Sequence, residues 1–67
     1  MIHETAIVQS KIPDSAKVWA FAQIRENVKL GENCIIAKNT YIDAGVTIGK
    51  NCKIQNNVSV FEGVTLE

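Results

Sequence analysis

Every sixth residue from position 12 onward is Ile, Val or Leu: Ile12, Val18, Ile24, Leu30, Ile36, Ile42, Ile48, Ile54, Val60 and Leu66. These three residue types fill 18 of 67 positions, so an unbroken run of ten at fixed spacing is no accident of composition. A period of six fits neither the 3.6-residue beat of a helix nor the plain alternation of a hairpin sheet. It predicts a tube of stacked turns, in which each hexad makes one flat wall and one corner.

Two further columns support the tube. Four residues after each anchor stand Ala16, Ala22, Val28, Cys34, Thr40, Val46, Cys52, Val58 and Val64, none larger than valine. One large and one small inward side chain per hexad suit a narrow triangular cross-section, with strand alternation sending the remaining residues outward. Three residues after each anchor stand Ser15, Phe21, Asn27, Asn33, Asn39, Gly45, Asn51, Asn57 and Gly63. Asn and Gly accept positive φ with least strain, so this column predicts the corners rather than a ladder of ligand contacts.

Three hexads close one coil, so residues 18 apart stack. The predicted stacks are Ile12/Leu30/Ile48/Leu66, Val18/Ile36/Ile54 and Ile24/Ile42/Val60. The chain holds about three and a half coils, each about 4.8 Å above the last. The pattern resembles the left-handed parallel β-helix of the hexapeptide-repeat acyltransferases. The left hand comes from that resemblance alone, since general topology favours right-handed parallel crossovers.

The first residues run on a different count. Ile2 and Val8 are six apart, but Ile12 follows Val8 by four. Residues 1–11 therefore read as an N-terminal cap turn with a register slip at Gln9-Ser10-Lys11. Residues 12–67 read as the solenoid proper. Its last hexad is cut short at Glu67, which suggests a truncated piece of a longer protein, because a solenoid end needs a cap.

Seven basic and seven acidic residues cancel. That balance offers no electrostatic case for nucleic acid or an anionic membrane. No signal peptide and no long apolar run is present, so a cytoplasmic protein is expected. Cys34 and Cys52 share the small inward column on adjacent coils and read as reduced core residues. No metal site is expected, because neighbouring inward columns hold no His, Asp or further Cys.

Local segments narrow the resemblance. Lys17-Val18-Trp19-Ala20-Phe21-Ala22-Gln23-Ile24 and the run from Asn51 to Glu67 resemble sugar-nucleotide N-acetyltransferases of cell-surface polysaccharide biosynthesis, and the opening Ile2-His3-Glu4-Thr5-Ala6-Ile7-Val8 resembles the usual start of hexapeptide acyltransferases. The resemblance implies acetyl-CoA as co-substrate and a nucleotide-linked 3-amino sugar as acceptor. It implies a homotrimer with active sites between subunits. It places the residues nearest the reacting amine beyond Glu67. Members often carry histidines in the tryptophan motif, where this chain has Ala20 and Gln23. No catalytic base is therefore assigned, and the chain alone is expected to be inactive.

Four residues are candidates for substrate contact. Gln55 and Asn56 make a polar outward patch one coil above Ala37 and Lys38. Phe61 and Glu62 sit at the equivalent corner of the next wall, where an aromatic beside a carboxylate could receive a base or an amino sugar. His3, the only histidine, reads as solvent-exposed. Trp19, Ile35, Tyr41, Phe61 and the corner residue Phe21 are large apolar groups on outward positions, and predict a partner surface. Two other classes compete with an acyltransferase. A carbonic-anhydrase-type metalloenzyme needs several histidines and is disfavoured by one. A catalytically inert trimerisation solenoid remains the alternative. An ice-binding solenoid needs outward threonine columns, and Thr40, Thr47 and Thr65 are expected not to line up.

Overall fold

A computed structural model describes residues 1–66. Ten two-residue strands follow the six-residue beat: β1 (Ile7–Val8), β2 (Lys17–Val18), β3 (Gln23–Ile24), β4 (Lys29–Leu30), β5 (Ile35–Ile36), β6 (Tyr41–Ile42), β7 (Thr47–Ile48), β8 (Lys53–Ile54), β9 (Ser59–Val60) and β10 (Thr65–Leu66). They form three parallel sheets, β2-β5-β8, β1-β3-β6-β9 and β4-β7-β10, which are the three walls of a prism. The architecture is the left-handed parallel β-helix of hexads.

The anchors stack as the 18-residue arithmetic predicts. Val18 pairs with Ile36 and Ile36 with Ile54. Ile24 pairs with Ile42 and Ile42 with Val60, and Leu30, Ile48 and Leu66 form the third column. The bottom coil counts differently. Ile2 bridges Val18, and Val8 pairs with Ile24, each 16 residues apart. Ile12 packs against the core from below without entering a ladder.

The interior is a single apolar cluster. Val18, Ile24, Ile36, Ile42 and Val46 are fully buried, with Ala16, Ala22 and Cys34 beside them in the small column. Thr40 is the one buried polar side chain among the described residues, and its hydroxyl donates to the Gln55 carbonyl at 3.0 Å. That bond lets a threonine replace valine in an apolar tube. The cysteines are free thiols; Cys34 is buried and donates to the Gly49 carbonyl at 3.0 Å, and Cys52 is half-buried.

The corners obey the third column. Phe21, Asn27, Asn33, Asn39, Asn51 and Asn57 have φ between 58° and 62°, and Gly45 and Gly63 have φ of 76° and 86°. Ser15 stands apart, since it is not among the positive-φ residues. Gly31 serves a different need. A Cβ there would lie 2.4 Å from the Lys50 backbone nitrogen, so two coils approach more closely than any side chain permits.

One expectation about threonines fails. Thr47 and Thr65 lie directly opposite each other, because they are 18 apart on outward positions. Lys29 occupies the position below, and Thr40 points inward, so the column is two residues long.

Candidate functional site

Outward positions on the β2-β5-β8 wall build an open concavity. The residues flanking each anchor repeat every coil: Ile35 and Lys53 in one column, Trp19 and Ala37 in the next, Ala20, Lys38 and Asn56 at the corner. His3 joins them because the bottom coil is two residues short. The Ile2–Val18 bridge places His3 beneath Trp19, and the His3 amide donates to the Val18 carbonyl at 2.8 Å. These eight residues line an open groove of about 590 Å³.

The groove has an apolar floor and a positive rim. Trp19 is 43% exposed, Ile35 is half-buried and Ala37 is buried. Lys38 and Lys53 extend over this floor with His3 and Asn56 nearby. Among the described residues no carboxylate lines it. A surface of this kind suits an anionic ligand with an apolar or aromatic part, in which the cations meet the charge and the indole meets the ring.

The four residues singled out by sequence divide between two places. Asn56 lines the groove, and Gln55 lies beside it, its carbonyl holding Thr40. Phe61 and Glu62 lie on the neighbouring wall, above Asp43 and Ala44, outside the groove. Phe61 is 63% exposed, and the Glu62 amide donates to the Asp43 carboxylate at 3.3 Å.

That neighbouring wall carries its own polar chain. Arg25 donates to the Tyr41 hydroxyl at 3.1 Å, and Tyr41 donates to Asp43 at 3.1 Å. Arg25 also pairs with Glu26 at 3.1 Å. The Tyr41 bond, with Glu26 beside it, raises the Arg25 guanidinium above its ordinary value. The Ala44 amide holds the Asp43 carboxyl below the usual carboxylate range, with Tyr41 and the Glu62 amide adding to it. Glu26 is lowered by its own backbone amide and then by Arg25. The chain ties successive coils together at the surface.

Sequence reasoning missed Lys38, Lys53 and His3 as groove residues. The two lysines were recoverable from the 18-residue columns that placed Asn56. His3 was recoverable only by carrying the four-residue step from Val8 to Ile12 through the ladder, which shortens the first coil to 16 residues. Among the described residues no group of three or more His, Cys, Asp or Glu could hold a metal ion. Nor is any helix there long and apolar enough to cross a membrane.

Two family models match the chain. Residues 9–44 match the bacterial transferase hexapeptide, six repeats, and residues 27–62 match the hexapeptide repeat of succinyl-transferase. Each match spans more than half of the chain, and the chain belongs to the bacterial hexapeptide-repeat transferase family. No curated protein and no solved structure gives a significant match.

Proposed function

We propose that this chain is the substrate-binding coil segment of an acyl-CoA-dependent acyltransferase. The observation that carries the proposal is the groove: two lysines and a tryptophan over an apolar floor, without a carboxylate, on a hexapeptide-repeat transferase fold. Phosphate groups of an acyl-CoA or of a nucleotide-linked acceptor match the lysines, and the remainder of either molecule matches the floor.

The finer reading is an acetyl-CoA-dependent N-acetyltransferase acting on a nucleotide-linked amino sugar. The local resemblance of residues 17–24 and 51–67 supports it. Acyl transfer of this type needs the amine held against the thioester carbonyl, donors for the developing oxyanion and an acceptor for the amine proton. The chain supplies binding surface for the first requirement. Asn56 with Gln55 contacts one substrate. Phe61 and Glu62, on the adjoining wall, contact a substrate held by a neighbouring copy. A cytoplasmic homotrimer follows from this reading, and the exposed Trp19, Phe21 and Phe61 support an interface between copies.

Calorimetric titration with acetyl-CoA tests the first level. Saturable binding that Lys38→Met/Lys53→Met abolishes is expected. Absence of binding to the wild-type chain, with a trimer seen by light scattering, would favour an inert trimerisation solenoid. A nucleotide-linked 3-amino sugar tests the finer level: it should bind alongside acetyl-CoA, with no turnover by this chain alone.

A further inference from the structure

One vertical edge of the prism carries a side chain that a single copy does not explain. It lies between the groove wall and the β1-β3-β6-β9 wall, and its corner residues from the bottom are Thr5, Phe21, Asn39 and Asn57. Asn takes the left-handed conformation at little cost, yet Phe21 takes it at φ 58° and stays 66% exposed. Within one copy the aromatic group buries little to offset that strain. Trp19 on one side of the edge and Ile7 on the other are exposed as well. Large apolar groups gathered along one edge mark a contact surface.

The two walls that diverge from this edge carry opposite charge. Lys17, Lys38 and Lys53 stand on the groove wall and its corner, with Glu4 below Ala20 as the acid among them. Glu26, Asp43 and Glu62 stand on the other wall and its corner, with Arg25 as the base among them. A chain of no net charge thus presents a basic wall and an acidic wall on either side of Phe21. Copies turned about an axis along this edge set the basic wall of each against the acidic wall of the next. Six copies would press the walls flush and fill the groove, and two would leave them about 120° apart; three leave clefts of about 60° that both walls reach.

We propose that a second copy of this chain docks at the Phe21 edge, that three copies close around it, and that each substrate site is the cleft between the groove of one copy and the Phe61–Glu62 corner of the next. The proposal rests on the reading of the groove as a substrate site and deepens it. Asn56 and Phe61 stand on different walls of one coil, and only a neighbouring copy brings the two to one cleft.

Light scattering and isotope-filtered NOE spectroscopy of the whole chain test the contact. A trimer is expected, with NOEs from the Phe21 side chain of labelled copies to Phe21, Trp19 or Ile7 of unlabelled ones. Phe21→Asn, which suits the corner, should weaken assembly at least about tenfold. High salt should weaken it about threefold. A chain that stays monomeric up to about 1 mM overturns the proposal, as does a trimer whose contacts come from Thr47 and Thr65 on the third wall. Mixed variants test the shared site. Lys38→Met/Lys53→Met removes the groove's cations, and Phe61→Ala/Glu62→Ala removes the facing corner. Each variant alone should lose acetyl-CoA binding. Mixed in equal amounts, they should regain about a quarter of the wild-type sites, because each mixed trimer holds one intact pair of walls. No regain between two variants that still trimerise would place the site within one copy and overturn the proposal. Failure of the wild-type chain to bind acetyl-CoA would defeat the acyl-CoA reading alone, and the NOE contacts would still decide the docking.

Discussion

The bottom coil and the coils above it solve one problem in two ways. Each corner leaves an amide facing down toward the coil below. In the upper coils a main-chain carbonyl meets it: Asn39 to Ala20, Gly45 to Glu26, Asn51 to Glu32 and Asn57 to Lys38, at 2.8–3.2 Å. At the bottom, side-chain hydroxyls take over. Thr5 receives the Phe21 amide, Ser15 receives the Asn33 amide at 2.9 Å, and Ser10 receives the amide of Val28, one residue past the Asn27 corner, at 3.0 Å. Ser10 also donates to the Arg25 carbonyl. A regular coil satisfies its backbone with any sequence that fits the corners. A shortened coil needs particular side chains at particular places.

The two regions should therefore fail differently when altered. Core deletion gives the largest effect, and it should fall on the upper coils. Ile42 is fully buried between Ile24 and Val60, and Ile42→Ala should cost about 2–5 kcal/mol. Val8, half-buried at the bottom, should lose only about 1 kcal/mol on truncation to Ala. Urea denaturation of both variants measures the contrast. Equal losses would mean that the bottom coil is as much a part of the packed core as the middle.

The hydroxyl contacts come next. Ser10→Ala strands the amide of the buried Val28, for a loss of about 1–3 kcal/mol. Lys38→Ala removes a side chain above a main-chain bond that survives, so its effect should stay within about 0.5 kcal/mol. The comparison collapses if the lysine variant proves the less stable of the two in the same denaturation series.

The upper coils were legible in the sequence for the reason that makes them insensitive to such changes. Their register follows from Ile24, Ile42 and Val60 at a fixed interval, and their corners from Asn and Gly. The 16-residue pairing at the bottom matches the two-residue deficit between Val8 and Ile12, but not the regular interval. It depends on Ser10, Thr5 and the short bridge at Ile2, whose partners lie 15–18 residues away in sequence. The groove inherits this division. Asn56 stands on a regular column and could be singled out. His3 stands on the irregular coil, and its contact with Thr5, two residues away, carries no periodic signal. The Phe61–Glu62 corner was equally visible, but outward position alone does not say which wall is concave.

Phe21 sits where the two regions meet. It is the only aromatic corner, at φ 58° and 66% exposed, so it bears the left-handed strain while burying little. That conformation costs a residue with a Cβ about 1–2 kcal/mol, less for Asn. Phe21→Asn should stabilise the isolated chain by about 1 kcal/mol, a rise in Tm of about 4–8 °C for a domain of this size. If Phe21 instead packs against a second copy, the variant should lose the assembly and melt lower. A scan at two protein concentrations separates these results, since only the second depends on mass action.

The smallest effect concerns acid. Glu26 and Asp43 lie below their ordinary values in the folded chain, so their contribution is present above the unfolded values and is lost as pH falls through the lowered folded ones. Stability should hold from neutrality to about pH 5 and decline below about pH 4. Both groups are half-buried at the surface and keep access to solvent, which keeps the change small and salt-sensitive. Asp43 is also a carboxylate in the upper coils that accepts backbone amides from two coils, at Ala44 and Glu62. It does there what Thr5 and the two serines do at the bottom. Asp43→Asn should therefore flatten the acid decline more than Glu26→Gln, whose partner Arg25 keeps its bond to Tyr41. Denaturation midpoints at pH 3 and pH 6 in low salt give the answer. An unchanged decline in Asp43→Asn would mean that the upper coils rely on main-chain bonds alone.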